Sequence, residues 1–146
     1  MGYATSDGVV LPEWLQGLVS PLDDKLGVEI HELTATSCVI TAPLRGNTQP
    51  TGLWHGGASG VLVETAGSLA AMCHARQMGM GAVGTELNVS HLRAPHGDRM
   101  IAIATAVHLG RHTTTHSVEI RDDHHRLCAM GRVSCQVVSL DHADQR

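Results

Sequence analysis

The sequence is predicted to fold as a mixed α+β domain: an antiparallel sheet wrapped around one long central helix, with a short helix near the N-terminus. Three observations predict this class. One apolar run, from about Gly57 to Gln77, is long enough for five to six helical turns at about 3.6 residues per turn. Two alternating runs precede it and four follow, joined by short turn-rich segments that favour antiparallel pairing. The helical run is apolar almost all round, so the sheet must cover it.

Taken in order, Pro12-Glu13-Trp14-Leu15-Gln16-Gly17-Leu18-Val19 reads as a short amphipathic helix with Pro12 near its first position, and Ser20-Pro21 reads as its breaker. Leu26–Leu33 and Ser37–Leu44 alternate as strands. In the second, Cys38, Ile40, Ala42 and Leu44 share one face, and Ser37, Val39 and Thr41 the other. Gly46–Gly52 is a loop by its turn residues. The long helix ends at Met78-Gly79-Met80-Gly81, with Arg76 in its last turn. Gly60 and Gly67 inside it each cost about 1 kcal/mol relative to Ala, which is understandable if the sheet or a partner helix packs very close. Strand-like runs follow at 82–93, 99–109, 113–121 and 126–139. Turns fall at Pro95–Asp98, Gly110–His112 and Asp122–His125. Ile101, Ile103, Thr105, Val107 and Leu109 alternate with Ala102, Ala104, Ala106 and His108, the pattern of a half-buried strand.

At 146 residues the chain suits one domain spanning 1–146, with 1–11 and 140–146 expected as flexible termini. No apolar run reaches a membrane span, and Met1–Gly8 lacks the basic and apolar regions of a secretion signal. The four cysteines form no C-x-x-C pair and sit in apolar segments, which points to reduced thiols and a cytoplasmic location. A net charge of −4 and scarce aromatics argue against nucleic-acid binding. Phe is absent, so the core must be aliphatic. Among the eleven histidines, His112/His116 and His124/His125 are the closest pairs, and neither has metal-ligand spacing to further donors. Surface and loop histidines, with no metal site, are therefore expected.

Between Arg45 and Arg76 the one formally charged side chain is Glu64, two turns into the apolar helix. An ionised carboxylate is costly to bury without a partner, and the flanking sequence offers no basic side chain. That makes Glu64 the candidate working group. The helix opens at His55-Gly56-Gly57, where unpaired backbone N–H groups and partial positive charge suit an oxyanion. Ser68 lies at i+4 from Glu64 on the same face.

These residues carry a resemblance. Gln49-Pro50-Thr51-Gly52-Leu53-Trp54-His55-Gly56-Gly57-Ala58-Ser59, then Val63–Ala71, Val83–Arg93 and His108-Leu109-Gly110-Arg111 resemble the hotdog-fold acyl-CoA thioesterases, in the PaaI-like branch acting on aroyl-CoA thioesters such as hydroxybenzoyl- and dihydroxynaphthoyl-CoA. The match runs from about Leu26 to Val138. The resemblance implies hydrolysis of an acyl-CoA, with an aromatic acyl group, to free acid and CoA. Glu64 would be nucleophile or general base, the Gly56 N–H the oxyanion donor and Gln49 a second carbonyl-polarising group. Ser68 would hold water or the carboxylate, and His55 would orient the loop rather than act as base. No cofactor is implied beyond the CoA of the substrate.

CoA phosphates need cations, and with one lysine (Lys25) those must be arginines. Arg93 and Arg111 follow the matched motifs, with Ser90, His91 and Gly110 as nearby donors. Ala94-Pro95 departs from the family, where Pro commonly follows that Arg directly. Trp54 is expected in the acyl pocket or at a dimer interface, and Glu86 as structural.

Glu64 stands eight residues beyond Gly56, about 12 Å along the axis, whereas attacking and accepting groups must sit within about 3–3.5 Å of one reacting centre. One subunit cannot readily supply both. The expectation is a two-fold homodimer with Gln49, His55 and Gly56 of one chain facing Glu64 and Ser68 of the other. Dimers would pair into a tetramer, with no nucleic-acid or membrane partner. The alternatives are a hotdog enoyl-CoA hydratase or dehydratase, for which no Asp lies near His55 on the helix, and a non-catalytic acyl-CoA-binding module.

Overall fold

A computed structural model of the protein describes residues 2–18 and 20–143. In chain order its elements are β1 (Ala4–Thr5), a 3-10 turn at Glu13–Leu15, α1 (Pro21–Leu26), β2 (Glu29–Leu33), β3 (Ser37–Pro43), α2 (Gly56–Arg76), β4 (Gly81–His91), β5 (Arg99–Leu109), β6 (Thr113–Asp122), β7 (Leu127–Val138) and α3 (Leu140–Ala143). The strands form one sheet in the order β1-β2-β3-β5-β6-β7-β4, antiparallel throughout except for the β1–β2 pair. After β3 the chain crosses the sheet as α2 and lays down β4 at the far edge. The β5–β6–β7 meander then fills the gap between β3 and β4.

The sheet covers α2 as expected, and small residues set the distance. Ala66, Gly67, Ala70, Ala71 and Ala75 of α2 are buried, as are Ala102 and Ala104 of β5. A Cβ on Gly67 would overlap Val133 Cγ1, so this glycine admits the sheet. A Cβ on Gly60 would meet nothing. In-register rows such as Ile40–Ala102–Ile120–Ala129 run across β3, β5, β6 and β7 and are buried along their length. The core is largely aliphatic, with Trp54 its one fully incorporated aromatic among the described residues, and the Cys38/Ile40/Ala42 face of β3 is its β3 contribution.

The N-terminal region departs from expectation. The helix expected over 12–19 is one 3-10 turn, interrupted at Gly17 with φ 76°; Val19 lies outside the described residues. The true helix begins at the supposed breaker. Ser20 caps α1, its Oγ accepting from Asp23 N–H (3.3 Å), and Pro21 occupies the first helical position. Ser-Pro is an N-cap followed by N1, where a missing N–H costs nothing. Leu26, expected as a strand residue, ends this helix, with Gly27 as its left-handed cap. In the N-terminal tail Ala4–Thr5 pair with Glu29–Ile30, and Tyr3 donates its hydroxyl to Asp23 Oδ2 (2.8 Å).

Candidate active site

The loop before α2 is tied down by its own backbone. Asn47 Nδ2 donates to Leu26 O and Pro43 O (both 2.8 Å), Gln49 N–H to Leu53 O (2.8 Å) and His55 N–H to Asn47 O (3.0 Å). Trp54 is buried and its Nε1 donates to Ser59 Oγ (2.8 Å), pinning the loop to the first turn of α2. His55 is the N-cap: its Nδ1 accepts from Gly57 N–H (2.8 Å), so that nitrogen carries no proton and is engaged. The imidazole thereby ties the loop to the first turn of α2. Among the described residues the Gly56 N–H has no hydrogen-bond partner. A cavity of about 380 Å³ opens beside it, lined by Gln49, Leu53, Trp54, Gly56, His91 and Arg93 with the rest of the 92–95 segment. A Cβ on Gly56 would touch His91 Cε1 at 3.0 Å. An amide donor at a helix N-terminus, an amide side chain, an imidazole and a guanidinium thus share one cavity, a set suited to a carbonyl oxygen and to phosphate.

The wall of this cavity is braced by Asp122, fully buried at the end of β6. It accepts from the N–H groups of His96, His124 and Arg126 (3.0, 3.0 and 3.1 Å) and from Arg126 Nε and Nη2 (2.9 and 2.7 Å). Burial alone would raise its pKa. The His96 amide, the Arg126 guanidinium and the other N–H donors outweigh that and hold it well below the usual carboxylate range.

Glu64 lies elsewhere on α2. It is half-buried and lines two adjoining cavities, about 340 and 280 Å³. Ser68 Oγ donates to its Oε1 (2.9 Å). Its carboxylate rests on the backbone of β4 at Gly84, where a Cβ would overlap Oε1 and lie 3.2 Å from Cδ. Gly84 sits at a register shift between Gly84 and Glu86. The smaller cavity has Tyr3, Trp14, Leu69, Met72 and Ala82 as apolar walls, and Arg76 stacks over the Trp14 ring at 5.6 Å. Asp23 lines both cavities with Glu64; it is buried and accepts from Tyr3 OH and Thr65 Oγ1 (2.8 Å each). Burial and the neighbouring Asp23 raise the Tyr3 phenol above its ordinary range, although a Ser20 hydrogen bond opposes them.

Within one chain the expected residues therefore fall into separate groups. Gln49, Gly56, His91 and Arg93 come together. Glu64 and Ser68 form a second group, and His55 faces a third cavity with Asn47 and Val61. Ser90 is on the opposite face of β4 from His91, because neighbours in a strand alternate. Gly110 and Arg111 are at the other end of α2, where His74 Nε2 donates to Gly110 O (2.8 Å). Among the described residues no group of three or more His, Cys, Asp and Glu converges as a metal site. His116, expected on the surface, is instead core: fully buried, with Nε2 donating to Ala35 O (2.9 Å), and burial lowers its pKa. Sequence reasoning missed Asp23, Tyr3 and Gly84. The Ser20-Pro21 cap signal was the available pointer to Asp23, which occupies the third residue of the helix that signal starts.

The thioesterase superfamily model matches residues 51–129. The chain is 37% identical over 121 residues to a protein of Cronobacter turicensis named proofreading thioesterase EntH, covering 82% of this chain and 88% of that one. Among solved structures, thioesterase HI1161 from Haemophilus influenzae aligns with a TM-score of 0.75 at 34% identity, over 82% of this chain and 83% of that one. A glutamine-to-alanine mutant of thioesterase PA1618 from Pseudomonas aeruginosa aligns with a TM-score of 0.76 at 33% identity, over 82% and 86%. The helix-in-sheet architecture and the matched stretch, which spans the start of α2, Glu64 and β4, agree: the chain belongs to the thioesterase superfamily, as a hotdog-fold thioester hydrolase.

Proposed function

We propose that the protein is an acyl-CoA thioesterase that converts an aromatic acyl-CoA to free acid and CoA, at a site completed by two protomers. The observation that carries this is the division of labour along α2. The Gly56 N–H opens on a cavity with Gln49, His91 and Arg93, whereas Glu64 lines cavities about 12 Å further along the axis. A two-fold partner closes the gap, with Gly56 and Gln49 of one protomer facing Glu64 and Ser68 of the other. The face it would cover is open: Gly60 has no neighbour where a Cβ would be, Leu87 of β4 is 42% exposed, and β4 is an edge strand. Two such dimers would pair into a tetramer.

In this reading Arg93 and His91 hold CoA phosphate and the Gly56 N–H, with Gln49, holds the thioester oxygen. Glu64 of the other protomer then attacks the carbonyl carbon or takes a proton from the attacking water. When water attacks, collapse of the adduct breaks the C–S bond and gives the acid directly; when Glu64 attacks, the same bond breaks to leave an acyl–Glu64 anhydride, which a water then hydrolyses to the acid and free Glu64. In both routes the departing thiolate takes up a proton derived from that water and leaves as CoA. The Tyr3 and Trp14 walls beside Glu64 favour an aromatic acyl group. The test is thiol release from aroyl-, phenylacyl- and fatty acyl-CoAs by wild type and Glu64→Ala. The expected result is fastest turnover of an aroyl-CoA, abolished in the variant. Equal turnover by the variant would overturn the assignment of Glu64, and exclusive turnover of fatty acyl-CoAs that of the aromatic class.

A further inference from the structure

The inner face of the sheet beneath Glu64 carries an in-register row of small residues outside the catalytic set described above. Gly84 of β4 pairs with Cys135 of β7, and Cys135 pairs with Thr114 of β6. Residues directly opposite in antiparallel strands project to the same face, so this row is the floor under the Glu64–Ser68 turn of α2. Gly84 leaves space for the carboxylate. Cys135 Sγ lies 3.8 Å from Ser68 Oγ, and both Cys135 and Thr114 are buried.

Donor and acceptor bookkeeping sets the direction of this chain of contacts. An ionised carboxylate only accepts. Ser68 has one hydroxyl proton, which goes to Glu64 Oε1 at 2.9 Å. Its oxygen therefore turns lone pairs toward Cys135, so across this contact the thiol is the group with a proton to give. Burial raises the Cys135 pKa above the ordinary thiol value, so the proton needed for that role is retained. A serine inside a helix also has a competing acceptor, the carbonyl four residues earlier. For Ser68 that is the backbone carbonyl of Glu64, and a donor at Cys135 favours the rotamer that serves the side chain instead.

We propose that Cys135 is a positioning residue for thioester hydrolysis: its S–H donates to Ser68 Oγ and keeps the Ser68 hydroxyl aimed at the Glu64 carboxylate. The inference rests on the use of Glu64 and Ser68 proposed above. Two measurements test it together. The infrared S–H stretch of Cys135, isolated as wild type minus Cys135→Ala, reads the hydrogen bond without any substrate. The same difference taken in a Ser68→Ala background should move to higher wavenumber. In steady-state kinetics Cys135→Ala should lower kcat about fivefold, the rate equivalent of one modest hydrogen bond, with KM unchanged. It should cause no further loss in Ser68→Ala, because the two act in series. Cys135→Ser, which keeps a donor at nearly the same volume, should retain most of kcat and guards against a folding defect in the alanine variant. An S–H band indifferent to Ser68→Ala, or a full Cys135→Ala loss repeated in the Ser68→Ala background, overturns the proposal. Unimpaired turnover by Glu64→Ala would instead overturn the reading beneath it, and the S–H band would still decide the hydrogen bond.

Discussion

Replacing Gly84 with alanine should separate activity from stability. The Gly84 φ lies outside the left-handed region, so an L side chain fits its backbone. The new methyl would overlap Glu64 Oε1 and lie 3.2 and 3.3 Å from Cδ and Oε2. Ordinary carbon contacts need about 3.5–4.0 Å, so the carboxylate must retreat by about 1 Å. Glu64 ends in free rotors and lines open cavities, so it can move without disturbing the fold. A misplacement of about 1 Å at a reacting group costs up to about 100-fold in rate. The same substitution stabilises a compatible site by about 0.4–1 kcal/mol, through the unfolded chain. Gly84→Ala should therefore lose about 100-fold in kcat while its Tm holds or rises, read by thiol release and thermal unfolding on one preparation. Full activity would refute the placement of the Glu64 carboxylate against β4. A large fall in Tm would show that the activity loss reports misfolding.

Three further outcomes follow from the packing and charge arrangement. Gly67→Ala should destabilise the protein by about 2 kcal/mol despite alanine's better helix propensity, because its methyl overlaps Val133; a gain in chemical denaturation would mean the sheet stands further from α2. Asp122→Asn should cost about 2 kcal/mol at neutral pH by removing the buried carboxylate that accepts charge-assisted hydrogen bonds from the part-exposed Arg126. The Asp122 pKa is depressed in the folded state, so its stabilisation is present above the unfolded value near pH 4 and is lost as pH falls toward the folded value. The gap between wild type and Asp122→Asn in urea unfolding should shrink below about pH 4, and a gap that widened there would contradict the assignment. Arg93→Ala should raise KM for an acyl-CoA about tenfold with little change in kcat, the loss of one charge-assisted contact to phosphate; an unchanged KM would remove Arg93 from the binding cavity.

How much was legible beforehand depended on the range of the interaction involved. The α2 helix spans Gly56–Arg76 against an expected 57–77, because a long apolar run bounded by glycines is a local signal. The buried face of β3 also follows from residues near in sequence, whereas Gly60 and Gly67 look alike in sequence and only Gly67 meets the sheet, at Val133. Ser20-Pro21 is ambiguous in sequence because the same dipeptide can end one helix or start the next, and only the capping bond to Asp23 decides. The two-residue β1 has no periodicity to detect. The Asp23 bond to Thr65 and the Gly84 contact with Glu64 join residues 42 and 20 positions apart, and no local pattern encodes them. Ser90 is different: strand alternation alone places it on the opposite face of β4 from His91. Gly110 and Arg111 lie at the other end of α2 from Gly56 within one chain, and the order of motifs along the sequence does not encode that placement.

The central claim is that one protomer's Gln49 and Gly56 work with the other's Glu64. Mixing Gln49→Ala and Glu64→Ala subunits under conditions that let dimers exchange tests it most directly. Each variant alone should be inactive on the best acyl-CoA. Random pairing makes about half of the dimers mixed, each with one of its two sites intact, so thiol release should recover to about a quarter of the wild-type rate. An equimolar mixture that exchanges subunits, as shown by mass-tagged chains, yet stays inactive would contradict a shared site.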